Sequence, residues 1–120
     1  VITLSIPEPT PSLNEHKWKH WSHHKKLRRH WSMLVLLARS AQLHAGAPSS
    51  KALPHHANVE VTRFGKRSLD RDNFMGGLKC LLDGLKDHRL IMDDDAKHMT
   101  LIATQKPLVK GDKPCTLVTI

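Results

Sequence analysis

The sequence predicts an α/β protein of the α+β kind: a small mixed sheet of about four strands packed with two α-helices, as one domain over residues 1–120. Three observations carry that expectation. A chain of 120 residues and 13.6 kDa matches the size of one hydrophobic core. Two segments repeat apolar residues at steps of three and four, the period of a helix with one buried face. Four short segments rich in β-branched residues are separated by Pro- or Gly-containing stretches, as strands are.

In chain order, Val1–Ile6 alternates polar and apolar side chains and reads as a strand. Pro7, Pro9 and Pro11 then impose a stiff, extended turn, because proline lacks an N–H and fixes φ. The first helix carries Leu27, Trp31, Leu34, Ala38, Ala41 and Ala45 on one face. Ser22 or Asn14 is its N-cap, and Gly46 with Pro48 ends it. A polar loop, Ala47–His56, leads to a strand at Asn58–Phe64, where Val59 and Val61 alternate with Glu60 and Thr62. Gly65–Leu69 is a basic loop. The second helix runs from about Asp72 to Lys86 and buries Phe74, Leu78, Leu81 and Leu85. Leu90–Met92 is a short strand or a bend. Two last strands, His98–Gln105 and Cys115–Ile120, are expected to form a hairpin around Lys110–Gly111–Asp112.

Composition narrows the function classes. No apolar run approaches the ~18–20 residues that span a bilayer, and no signal-peptide pattern precedes Val1–Ile6. Cys80 and Cys115 are too few for a disulfide framework and are expected as reduced, buried thiols of a cytoplasmic protein. His16, His20 and His24 lie four apart, but no Cys or His-Glu-x-x-His pattern accompanies them, so zinc is not expected. Nineteen Lys and Arg against eleven Asp and Glu leave a formal charge of +8, which favours a polyanion such as nucleic acid. The distribution is uneven. Asn14–Gly46 holds seven basic residues and one acid, whereas Asp70–Asp95 holds seven of the eleven acids.

That acidic stretch carries the candidate chemistry. In an extended entry to the helix, Asp70 and Asp72 point to one side, and Asp93–Asp94–Asp95 follows after a buried apolar turn. An Asp-x-Asp with a third carboxylate is a donor set for a hard cation such as Mg²⁺, which takes one or two carboxylates plus water and phosphate oxygens. At ~100° per residue, Asp72, Gly76, Lys79 and Asp83 share one helix face. Lys79 is therefore placed either to hold a phosphate oxygen or to form a plain surface pair with Asp83. Gly76 and Gly77 are costly inside a helix. They imply close approach to its backbone, by a nucleic-acid strand or phosphate or by a tightly packed neighbouring strand. Lys66, Arg67 and Arg71, with Lys25, Lys26, Arg28 and Arg29 on the first helix, are candidate DNA contacts. Trp18 and Trp21 are weaker candidates for stacking on bases.

Leu69-Asp70-Arg71-Asp72-Asn73, then Lys79 and Asp83-Gly84-Leu85, then Leu90-Ile91-Met92-Asp93-Asp94, together resemble the RusA family of Holliday junction resolvases. The order of strand, Pro-rich turn, helix, strand, Asp-x-Asp-Asn helix and Asp-Asp segment is similar over nearly the whole chain. The resemblance implies a phage- or prophage-type homodimeric endonuclease that resolves four-way DNA junctions by paired, symmetric nicks, with Mg²⁺ or, in its place, Mn²⁺. It matches Asp70, Asp72 and Asp94 to the metal-binding carboxylates, with Asp93 as the adjacent alternative, and Lys79 to the family's helix lysine. The Asp72–Lys79 interval is longer than in the type member by nearly one helical turn. The arginine run before the first Asp is interrupted by Ser68 and Leu69, leaving Arg67 or Arg71 in that role. The N-terminal strand or the first helix is the expected dimer contact. Two rival readings stand beside this one: a non-catalytic basic DNA-binding module, and a metal-dependent nuclease of flaps or other branched DNA.

Overall fold

The computed structural model describes residues 2–15, 19–47 and 53–120. Among these residues four strands form one mixed sheet: β1 (Thr3–Ile6), β2 (Ala57–Gly65), β3 (Met99–Pro107) and β4 (Cys115–Thr119). Their spatial order is β1-β4-β2-β3. β4 runs antiparallel to both β1 and β2, with Leu4 opposite Val118 and Val61 opposite the same Val118. β2 and β3 are parallel, with Val59 opposite Leu101. A parallel pair needs a long crossover, and two short helices, α2 (Arg71–Gly77) and α3 (Lys79–Asp87), supply it.

The sheet buries one face. Along β2, Ala57, Val59, Val61, Arg63 and Gly65 are buried while Asn58 and Glu60 are exposed, the period-two pattern of a one-sided sheet. Leu4, Ile6 and Val118 add to this face. Above it lie Phe74, Leu78, Leu81 and Leu85 of the crossover, and Trp31, Leu34 and Val35 of the long helix α1 (Trp21–His44). Gly84 sets the α1–α3 approach: a Cβ there would lie 3.1 Å from Val35 Cγ2 and 3.3 Å from the Trp31 carbonyl oxygen.

Several expectations change. The predicted final hairpin does not form, because β2 lies between β3 and β4. Its turn is present, with Gly111 at φ +93° and Asp112 N–H donating to the Val109 carbonyl, but it joins strands that are not neighbours. The cap of α1 is His20 rather than Ser22 or Asn14: its Nδ1 accepts from Ser22 N–H at 3.2 Å. Asn14 sits instead in a 3₁₀ turn, Leu13–Glu15. Ala41 and Ala45, expected on the buried face, are exposed, so burial of α1 ends before its last turns. The predicted second helix is two helices, broken at Leu78, whose N–H reaches only to the Met75 carbonyl. Leu90–Met92 is a bend. Of the two cysteines, Cys80 is buried and Cys115 partly so, both as free thiols. His16, Trp18, Val1 and the Pro48 stop lie outside the described residues.

The double glycine is explained by the chain itself. A Cβ on Gly77 would sit 1.7 Å from the Pro11 carbonyl oxygen, and one on Gly76 would sit 2.5 Å from Leu13 Cδ2. The Pro-rich segment thus presses directly on α2. Backbone cannot yield as a flexible side-chain tip does, so Gly77→Ala is expected to destabilise the fold by about 1–3 kcal/mol through overpacking. A urea titration checks this, and an unchanged midpoint would remove the contact from the account.

Candidate functional site

Asp70 is the N-cap of α2, in extended conformation (φ −64°, ψ 161°). Its Oδ1 accepts from Asn73 N–H and its Oδ2 from the Asn73 side-chain amide, both at 2.9 Å. The Asn of the Asp-x-Asp-Asn motif therefore orients the first Asp. Asp72 lies in the first turn and is exposed. With Leu13, Asn14, Arg71 and Asn73, the two aspartates line a cleft of about 480 Å³. The segment entering this turn is clamped: Gln105 of β3 accepts from Leu69 N–H at 2.8 Å and donates to the Leu69 carbonyl at 2.9 Å. A side-chain amide thus replaces strand pairing just before Asp70. The sequence reading missed Gln105, since a lone Gln in a strand carries no local signal of its partner.

The third acidic segment meets the start of α3 through Lys79. Lys79 Nζ donates to Asp94 Oδ2 at 2.8 Å and lies 3.1 Å from Asp83 Oδ1. Both the surface pair expected from helix spacing and a long-range contact are therefore present. Lys86 adds a second cation, 3.3 Å from Asp93 and 4.0 Å from Asp94. The hydrogen bond to Asp94 raises the Lys79 pKa above its ordinary 10.5, with Asp83 adding to the effect and partial desolvation opposing it. At neutral pH Lys79 is a cation. The Asp93 carboxyl is held below its usual range by the Asp94 backbone N–H, at 2.7 Å, and by Lys86.

Part of the first-helix basic block lies beside Lys79. Lys25, Arg28, Lys79, Asp83 and the double glycine line one cleft of about 560 Å³. Arg28 is spent on this chain's own carboxylates, at 3.8 Å from Asp83 and 3.3 Å from Asp87. Lys25 rides over the Trp21 ring at 5.8 Å. Lys26 and Arg29 are exposed on α1, and Arg29 lines a shallower cleft beside Met33 and Leu36. Lys66, Arg67 and Arg71 are exposed, Arg71 in the cleft of Asp70 and Asp72.

Asp70 and Asp72 share one cleft, but with Asp94 they do not form a group whose ligand atoms all lie within 4.8 Å of one another. Their carboxylate oxygens are of the kind that suits Mg²⁺ or Mn²⁺. Among the described residues, the three-residue group whose ligand atoms all lie within 4.8 Å of one another is a different one: Asp93, Asp95 and His98. There His98 Nδ1 lies 2.6 Å from Asp95 Oδ1, and this contact holds the Asp95 carboxyl below its ordinary range. The sequence reading did not single out Asp95 and His98 as a pair, although their spacing permits the turn that Asp95 makes with His98 N–H at 3.0 Å. Cys80, beside Lys79, is no nucleophile at neutral pH, because burial pushes its thiol up to about 12. Among the described residues, no helix is long and apolar enough to cross a membrane.

Neither the models of known protein families nor the curated proteins contain a match to this chain.

The raised Lys79 pKa gives a direct check. Its contribution to stability is complete below the unfolded value of 10.5 and is lost as pH rises through the higher folded value. Asp94→Asn removes the largest cause, so the Lys79 Cε resonance in a ¹³C NMR titration should move at lower pH in the variant. An unchanged Lys79 titration would show that the two side chains do not meet in solution.

Proposed function

We propose that this protein is a metal-dependent, structure-selective DNA endonuclease that resolves four-way junctions by paired nicks. The observation that carries the reading is the 2.8 Å contact of Lys79 with Asp94. It joins two of the three motif segments on which the resemblance to the RusA resolvases rests, across fifteen residues of sequence. An anion-binding lysine beside acidic segments, on a chain of net charge +8, is an arrangement suited to a phosphodiester.

Asp70, Asp72 and Asp94 would hold Mg²⁺ or Mn²⁺, with Asp93 as the neighbouring donor. Such an ion, when bound, polarises the phosphoryl group and lowers the pKa of the attacking water. The protein's own residues do the rest. Asn73 orients Asp70, Gln105 holds the loop segment that delivers it, and Lys79 stays charged to meet a non-bridging phosphate oxygen. Water is the nucleophile, since the motif has no Ser or Tyr with a partnering base and Cys80 is held protonated. Lys25, Lys26, Arg29, Lys66, Arg67 and Arg71 are the proposed DNA contacts, with counterion release as the driving force, while Arg28 is held by Asp83 and Asp87. A two-fold junction needs two equivalent sites, which a homodimer presents. Met33 and Leu37, more than half exposed on α1, favour that helix as the contact between copies.

A non-catalytic DNA-binding reading draws on the capping role of Asp70, which needs no metal. Asp70→Asn separates the two, because Asn caps a helix as well as Asp does. The variant should stay folded and bind a labelled four-way junction at least as tightly as the parent. Its Mg²⁺-dependent cleavage should fall more than about a hundredfold, the scale of losing one electrostatic contact in an active site. Retained cleavage would favour a purely structural Asp70. Wild-type protein that cuts junction, flap and linear duplex equally would remove the junction-resolving reading.

A further inference from the structure

Beyond the acidic region, the described surface has a strongly basic groove of which the proposed function draws only on Lys66 and Arg67. It lies between the β2–α2 loop and the β3–β4 connection and encloses about 460 Å³. Lys66 and Arg67 stand on one side, Lys106 and Lys110 on the other, with Arg63 beneath and Asp112 as its single acid. All four flanking cations are exposed. Arg28, Lys79 and Lys86 are matched to carboxylates of this chain, whereas Lys66, Arg67, Lys106 and Lys110 make no ion pair among the described residues.

The groove is built rather than incidental. Arg63 is buried, and its guanidinium donates to the Thr10 carbonyl at 2.8 Å and to the Arg67 carbonyl at 3.2 Å. One side chain thereby fixes the loop that presents Lys66 and Arg67. Gly65 makes room for it, since a Cβ there would lie 2.2 Å from Arg63 Nη1. The other wall is the end of β3, whose pairing with β2 continues to Gly65 opposite Pro107. Gln105 belongs to both places: it lines the groove and clamps Leu69, the residue before Asp70. A polymer lying in the groove would therefore continue toward the Asp70–Asp72 cleft.

We propose that this groove binds the sugar-phosphate backbone of the DNA substrate and guides it to Asp70, with Lys106 and Lys110 as phosphate contacts and Arg63 as the positioning residue of the facing loop. The inference deepens the endonuclease reading and rests on it for the identity of the polymer. Phosphate contacts of this kind set register and orientation rather than sequence preference. Paired rows of cations with one acid match a strand carrying a regular series of negative charges.

The test is binding of a fluorescently labelled four-way junction and a linear duplex, in EDTA so that cleavage plays no part, across a series of salt concentrations. The double variant Lys106→Gln/Lys110→Gln should lose about tenfold in affinity for both DNAs. The slope of log affinity against log salt should become shallower by about two, one for each lost phosphate contact. Lys97→Glu, an exposed lysine outside the groove, should change affinity far less, and thermal unfolding should show all variants folded. Equal loss in Lys97→Glu would mean that net charge alone matters, and the proposal would fail. Unchanged DNA binding by the double variant would also overturn it, including the case where only its retention on phosphatidylserine vesicles drops. The two readings fail separately: wild-type protein that binds DNA through the groove but cuts nothing in Mg²⁺ sinks the nuclease, while cleavage with an indifferent groove sinks this inference alone.

Discussion

Two ammonium groups of α3, those of Lys79 and Lys86, tie the third acidic segment to that helix. Asp83 comes from α3 and Asp94 from the loop beyond it, and Lys79 touches both. Without a cation between them these carboxylates would repel. A pair as exposed as Lys79 and Asp94 contributes only about 0.2–1 kcal/mol to stability, so its main effect is on place rather than on the total. It fixes where Asp94 stands relative to the start of α3, and Lys86 does the same for Asp93. An anionic ligand arriving at Lys79 would compete with Asp83 and Asp94 for the same donors. A divalent cation at the carboxylates would relieve that competition.

The placement of Asp70 and Asp72 depends on packing that is almost free of charge. The Pro11 carbonyl lies against Gly77 and Leu13 against Gly76, so the Pro-rich segment is wedged onto α2. Arg63 anchors the same segment through Thr10. α2 is thus held from below by the sheet, from the side by the prolines and at its entry by Gln105. A seven-residue helix has little stability of its own, and these contacts are what make it a fixed platform for its N-cap.

Much of this was legible in the chain, and the illegible parts share a cause. The alternation of Val59 and Val61 and the stripe of Phe74, Leu78, Leu81 and Leu85 report burial directly, because a face repeats within a few residues. The motif positions also localise well, since Asp70 and Asn73 interact across three residues. The failures are long-range. β3 and β4 read as a hairpin because each is a good strand and a turn joins them. That β2 intervenes depends on its pairing with both, which no local pattern encodes. The same holds for Gln105 with Leu69 and Arg63 with Thr10, whose partners lie 36 and 53 residues away. For Gly76 and Gly77 the sequence demanded close approach by a nucleic acid or a neighbouring strand, and the visitor is instead the non-strand segment of Pro11 and Leu13. The cap of α1 was missed for a different reason: His20 does with Nδ1 what Ser or Asn does with oxygen.

The structure also changes the meaning of the charge asymmetry. Seven acids between Asp70 and Asp95 look like an acidic pocket, yet most are compensated at home. Asp83 and Asp87 meet Arg28, Asp93 and Asp94 meet Lys86 and Lys79, and Asp95 meets His98. Asp70 and Asp72 are the two carboxylates of this stretch without an ion pair among the described residues. They share their cleft with Arg71, and Gln105 links that region to a groove whose flanking cations are likewise unpaired. Uncompensated charge of both signs is thus concentrated on neighbouring parts of the surface. Two adjacent carboxylates would repel a polyanion, and a divalent cation bound to them would cancel that local repulsion while leaving the groove unchanged. On the proposed reading, attraction by the groove would then cost nothing in selectivity for a metal-loaded form, because only that form would let a strand complete its path past Asp70.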